Sequence, residues 1–203
     1  ALYPDIEAWS ESGDGIVRKA DMDGECSTLN KDDIVLCRVN RPLVQLAFQL
    51  LDSGIPCHVR GRDIGDGLIR LIKKQDATNV NQLIPALELW YELEMHRAHG
   101  KEDEHKMQSI EDKYNSLLIF IGKCKLTDSV QEVIDIINDM FEQGKGVCLS
   151  TVHKAKGLEA HRCYLLQTDL FSTFQARAGQ LWQRDQERNI KYVGVTRAKQ
   201  ELI

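Results

Sequence analysis

Residues 147–166 read VCLSTVHKAKGLEAHRCYLL, two apolar runs on either side of a polar loop. The runs VCLST and RCYLLQT read as buried strands, so the loop leaves the carboxyl end of a strand. In an open α/β sheet ligands bind at that end, where loops converge and helix N-termini and free backbone N–H groups face solvent. The loop is furnished for such a ligand. Gly157 permits close backbone approach, Ser150 and Thr151 offer hydroxyls, and Lys154 and Lys156 offer positive charge. His153 can stack or donate, and Glu159 can accept from a sugar hydroxyl.

Working outward, the chain alternates strand and helix. DIVLCR (Asp33 to Arg38) has the pattern of a short strand. NRPLVQLAFQLLDSG then predicts a helix with Asn40 as its N-cap, Pro42 in the first turn and Gly54 as its stop. IPCHVRG (Ile55 to Gly61) is the next strand, which makes residues 33–61 a βαβ unit of a parallel sheet. Farther on, TDSVQEVIDIINDMFEQG spaces Val130, Val133, Ile134, Ile137 and Phe141 as a helix, with a Ser129/Glu132 capping box and a stop at Gly144. The last pattern, LWQRDQERNIKYVGVTRAK, puts Ile190, Val193 and Arg197 on one helical face and predicts a helix. The expected fold class is therefore α/β, a parallel sheet flanked by helices. Residues 66–125, mostly polar and helical in pattern, read as a small helical insertion, and residues 1–30 as an irregular lead-in.

Composition bounds the function. A chain of 203 residues with 42% hydrophobic content can bury one sizeable core. No apolar run approaches the roughly 20 residues that span a bilayer, and no charged leader precedes an apolar stretch, so a cytoplasmic location is expected. Both ends look cut, which predicts a fragment of a larger protein. Six cysteines without a C-x-x-C pair, four of them in apolar runs, predict free thiols in a reducing compartment. The net charge of −5 hides an asymmetry: Glu88 to Lys113 carries a local charge of −4, and Ser150 to Lys199 carries +5. Two surfaces with different partners fit this distribution.

A complete NTPase is excluded. No G-x-x-x-x-G-K-[S/T] occurs, since Gly100-Lys101, Gly122-Lys123 and Gly144-Lys145 are followed by Glu, Cys and Gly, and no apolar strand ends in an Asp-Glu pair that would hold magnesium. The chain fits the half that completes such an enzyme.

LSTVHKAKGLEAHRCYLL and QERNIKYVGVTRAK resemble the fifth and sixth conserved motifs of the UvrD/Rep-like DNA helicases of superfamily 1. VLCRVNRPLVQLAFQLLDSGIPCHVRG is similar to that family's segment around its fourth motif. The resemblance implies the second of two RecA-like motor domains, built from residues 31–65 and 126–203, with 66–125 at the position of the accessory subdomain. It implies ATP with Mg2+ in a cleft against the first RecA-like domain of the full-length chain, which would hold the phosphate loop and the metal ligands, leaving no metal site here. By the same resemblance Arg197 reaches the γ-phosphate across the cleft as the catalytic arginine, Glu159 contacts the ribose and Gly157 admits the nucleotide. Arg38, Asn40, Ser150, Thr151 and His153 would face single-stranded DNA. The implied activity is ATP-dependent DNA unwinding or translocation, 3′ to 5′, in repair or replication, with this fragment inactive alone. The chain departs from the motif after Leu158-Glu159, where Ala160, His161, Arg162 and Cys163 replace an aromatic and a β-branched residue, and the packing beneath that strand is the open question.

Plainer readings stand beside these. Arg197 is also suited to a helix C-terminus, Tyr192 and Val193 to the core, and Lys154 and Lys156 to solvent. Glu187 and Arg188 are spaced for a local ion pair worth roughly 0.3 kcal/mol. His96, His99 and His105 lack a fourth matched metal ligand. Two alternatives to a motor remain: a helicase-derived module that grips DNA or a protein without ATPase activity, and a free-standing nucleotide-binding domain that predicts nucleotide affinity for this fragment alone.

Overall fold

Short apolar runs and amphipathic segments alternate along the chain. The computed structural model describes residues 13–203 apart from 143, 145, 178 and 179, and apart from the side chains of 22, 23 and 174–177. Residues 1–12 of the expected lead-in lie outside the described residues. In chain order the elements are β1 (Ile16–Val17), α1 (Met22–Glu25), β2 (Ile34–Cys37), α2 (Asn40–Asp52), β3 (Cys57–Arg60), α3 (Arg62–Lys73) and α4 (Val80–His99). There follow α5 (Glu104–Ile121), α6 (Val130–Phe141), β4 (Val147–Thr151), β5 (Ala160–Leu165), α7 (Asp169–Arg177), α8 (Leu181–Val195) and β6 (Ala198–Leu202). No helix among the described residues is long and apolar enough to cross a membrane.

Among the described residues six strands form one sheet in the order β1-β6-β5-β2-β4-β3, and each of its strand pairings is parallel. A parallel ladder needs a crossover after each strand, so the connections leaving strands gather at one edge of the sheet and those arriving gather at the other. Burial follows from this architecture. All four residues of β2 are buried, as a strand covered on both faces requires. On one face Val35, Leu149 and Tyr164 share a core with Leu43, Val44 and Leu50 of α2 and Val133 and Ile137 of α6. On the other, Ile34, Leu36, Cys163 and Leu165 pack with Phe171 and Ile190.

The region around residues 66–125 shares the first of these cores. α3 begins at Arg62, ahead of residue 66, and buries Leu68 and Ile72 beside α6. α5 lies on α2 and buries Leu117 and Phe120, whose ring meets Phe48 edge-on at 5.5 Å. Phe120 is fully buried, so its truncation to alanine removes packing shared by both helices.

Several local expectations are corrected. Asn40 is the first residue of α2 rather than its N-cap, and the cap comes from Asp112 of α5, whose carboxylate accepts from the Asn40 N–H at 3.0 Å and the Arg41 N–H at 2.9 Å. α6 ends at Phe141, before Gly144. Its Ser129 hydroxyl accepts from the Glu132 N–H at 3.3 Å as expected, but the Glu132 carboxylate returns to that hydroxyl rather than to backbone. α8 ends at Val195, so Arg197 stands in a turn and the following residues form β6, a strand that the helical pattern concealed. Glu187 and Arg188 do not pair: Arg188 meets Asp185 at 3.0 Å, and Glu187 meets Arg38.

Within the N-terminal segment, β1 pairs with β6, and the Arg18 guanidinium joins Glu25 at 2.8 Å and Glu201 at 2.7 Å. The departure at residues 160–163 also has a physical answer. Ala160 and Cys163 are buried, and Arg162 donates from Nε and Nη2 to the buried carboxylate of Asp33 and from Nη2 to the Thr28 carbonyl. Small residues thus fill the core side while an arginine ties the preceding segment to β5. Gly146 is required where β4 begins: its φ is +119°, and a Cβ there would lie 2.1 Å from the Pro56 carbonyl oxygen. All six cysteines are free, and burial pushes the Cys37 thiol up to about 11 and the Cys163 thiol up to about 12.

Candidate functional site

The site residues fall on opposite edges of the sheet. At the carboxyl edge, Cys37 of β2 is in register with Thr151 of β4, so Arg38 and Val152 leave adjacent strands side by side. A pocket of about 200 Å3 opens there, lined among others by Arg38, Asn40, Asp112, Thr151 and His153. Four of the five residues expected to face a nucleic-acid strand therefore meet in one place. Ser150 is the exception: it is fully buried and its hydroxyl donates to the Thr151 carbonyl at 3.1 Å.

Carboxylates hold Arg38 and Asn40 in this pocket. Arg38 donates from Nε and Nη2 to the two oxygens of Glu187 at 2.9 and 2.7 Å, the two-pronged geometry suited to a guanidinium and a carboxylate. The Glu187 side chain is only 3% exposed and that of Arg38 12%. Asn40 donates from its side-chain amide to Asp112 at 2.7 Å, in addition to the backbone contacts that cap α2. His153 is exposed, yet the protein packed behind it disfavours its charged form, and the nearby Arg38 adds repulsion that Glu187 partly offsets; its pKa lies below the ordinary 6.5.

The second group lies at the amino edge. After β4 the chain makes a 3-10 turn over Val152–Lys154, whose Val152 is buried together with Ala155, and returns to the start of β5. Gly157 has φ +83°, and nothing lies within 4 Å of where a Cβ would stand, so side chains are disfavoured by backbone strain and the space beside it is open. Glu159 is about half exposed and pairs with Lys199 at 3.2 Å. Arg197 sits just before β6, where its carbonyl accepts from the Ala160 N–H at 3.0 Å. Its guanidinium donates to the Val193 carbonyl at 2.9 Å, the Leu158 carbonyl at 3.3 Å and the Thr196 hydroxyl at 3.0 Å. These partners are neutral. No carboxylate among the described residues pairs with Arg197, which is oriented while its charge stays uncompensated.

The loop read from the sequence as leaving the carboxyl end of a strand does so after β4 and then runs to the amino edge at the start of β5. Its first half lines the Arg38 pocket and its end meets Arg197. Lys154, left open between ligand and solvent, reaches Asp63 at 2.6 Å, and Tyr192 and Val193 are half-buried rather than fully in the core.

An all-parallel sheet with helices on both faces defines an α/β domain of RecA-like class. The profile of the UvrD-like helicase C-terminal domain matches residues 69–203, well over half of the chain, and the chain belongs to that family. No curated protein matches it. The unit at residues 33–61 lies outside the matched range and is joined to it by the sheet, because β2 stands between β5 and β4.

Sequence reasoning overlooked Asp112 and Lys199 and gave Glu187 to Arg188 rather than to Arg38. Two of these left a signal. Glu187, Ile190 and Gly194 are the buried residues of α8 and follow at three- and four-residue steps, so a face drawn through Ile190 and Glu187 would have exposed a buried carboxylate in need of a cation. Asp112 precedes the buried Ser116 and Phe120 by four and eight residues, which places it on the inner face of α5 rather than in a solvated acidic run.

Proposed function

We propose that this chain is the C-terminal motor domain of an ATP-dependent DNA helicase or translocase, completed by the N-terminal motor domain of the full-length protein. One observation carries the reading: Arg197 is held by three neutral oxygens beside Gly157 and Glu159, a cation set in place and left without a counter-charge. An anion brought against this edge by another domain would supply that counter-charge. A guanidinium suits the γ-phosphate of ATP because it stays charged and aims several donors at oxygens that gain charge in the transition state. Glu159, exposed beside it, fits a ribose hydroxyl, and the open space at Gly157 fits the close approach of a nucleotide. The phosphate loop and the ligands of Mg2+ are assigned to the N-terminal motor domain.

The pocket at the opposite edge is proposed as the grip on single-stranded DNA, through Arg38, Asn40, Thr151 and His153. Ser150 would act from behind, by holding the Thr151 carbonyl. Strand affinity of this chain alone should be weak and salt-sensitive, since only part of the groove is present. Residues 66–125 are proposed as a reduced accessory subdomain.

DNA-stimulated ATP hydrolysis by the full-length protein tests the assignment, with Arg197→Ala compared against wild type and nucleotide affinity measured in parallel. Turnover should fall by about 10³-fold or more with nucleotide binding largely kept. Unchanged turnover, or a wild-type protein that hydrolyses no ATP, overturns the motor reading in favour of a DNA- or protein-binding module.

A further inference from the structure

α8 spans the distance between the two edges. Glu187 near its middle clasps Arg38 at the strand pocket, and eight residues later the helix ends at Val195 and delivers Arg197. At about 1.5 Å per residue, those eight residues cover roughly 12 Å of continuous helix. The far end is seated closely: a Cβ on Gly194 would meet Leu165 of β5 at 3.2 Å and Val152 of the bridging loop at 3.4 Å. We infer that Glu187 is a positioning residue, through which engagement of Arg38 by a DNA phosphate changes the placement of Arg197.

The physical reason is the burial of the pair. A phosphate that draws on the Arg38 guanidinium competes with a carboxylate that is 3% exposed and cannot simply turn to water. Glu187 must either follow Arg38 or find new donors, and in both cases the force acts on α8. Because α8 is helical without interruption from Leu181 to Val195, a shift at Glu187 is passed to Val193 in its last turn and to Thr196 just beyond it, which with Leu158 of the bridging loop orient Arg197. An arginine paired at the surface would relay nothing of this kind.

The inference rests on Arg197 acting on nucleotide, and its test separates the two. In the full-length protein, Glu187→Gln and Glu187→Asp are compared with wild type for DNA-stimulated kcat, KM for ATP, Kd for an oligothymidylate strand and thermal melting. Glu187→Gln should lower DNA-stimulated kcat by about 10-fold while KM and Kd move by less than about 3-fold, and Glu187→Asp, which keeps the charge, should recover most of the loss. A merely structural role would move kcat, KM, Kd and melting together and show no recovery with Asp; that result overturns the inference, as does a Gln variant with wild-type stimulation. If Glu187→Gln behaves as wild type while Arg197→Ala abolishes turnover, the coupling role alone fails. A wild-type protein without ATPase activity removes both.

Discussion

The two edges of the sheet treat their arginines differently. At the carboxyl edge Arg38 is bound by a buried carboxylate, and the N-terminus of α2 is capped by a second one from α5. At the amino edge Arg197 is bound by two carbonyls and a hydroxyl, and the ion pair of Glu159 with Lys199 at that edge is about half exposed on both sides. Neutral oxygens fix the direction of a guanidinium without consuming its charge, whereas a buried carboxylate consumes it. The first edge is therefore electrostatically closed in this state, and the second is left ready for an anion.

Breaking the closed edge should have the largest effect. Arg38→Met leaves Glu187 buried without its cation and should lower unfolding free energy by about 3–5 kcal/mol in a denaturant titration, with much of the loss restored in Arg38→Met/Glu187→Leu. If the single substitution costs little, the pair is less buried in solution than its 12% and 3% exposure implies. At the open edge the effect should be on activity and not on stability. Arg197→Lys keeps the charge but loses the fork, so turnover of the full-length protein should drop by about 10²-fold at an unchanged denaturation midpoint. A lysine that restores turnover would mean that charge alone is needed there.

Asp112→Ala removes the cap of α2 and should cost about 1–2 kcal/mol, read again by denaturant unfolding. His153 sharpens the comparison through pH. Its folded pKa lies below its unfolded value, so the unfolded chain takes up the proton more readily. The stability it contributes is present above the ordinary pKa of 6.5 and is lost as pH falls through the folded value. The fall in unfolding free energy between pH 7.5 and pH 5.5 should therefore be smaller in His153→Gln than in wild type. The smallest change is expected from Lys199→Ala, below about 0.5 kcal/mol, because both partners of that pair are 53% exposed and solvent screens them.

Much of the fold was legible because strands and helices write their own periodicity. The runs read at 33–38, 147–151 and 162–168 became strands at 34–37, 147–151 and 160–165, and the spacing Val133, Ile134, Ile137, Phe141 became the inner face of α6. The residues proposed to meet a nucleotide were chosen by type, since glycine, glutamate and arginine carry chemistry that suits one wherever they stand. What misled was continuity. The helical pattern through Ile190 and Val193 was extended to Arg197, although the chain turns after Val195 and forms β6, because five residues of AKQEL are too few and too polar to announce an edge-side strand.

The amino-acid sequence by itself determined the α/β alternation, the motifs on their loops and the lack of a phosphate loop, all properties of residues near one another in the chain. Only the tertiary structure decided which carboxylate answers which cation. Arg38 meets a partner 149 residues away, and Asn40 one 72 residues away. Such pairings depend on strand order, register and helix placement, which no local period encodes, and they are what set one edge closed and the other open.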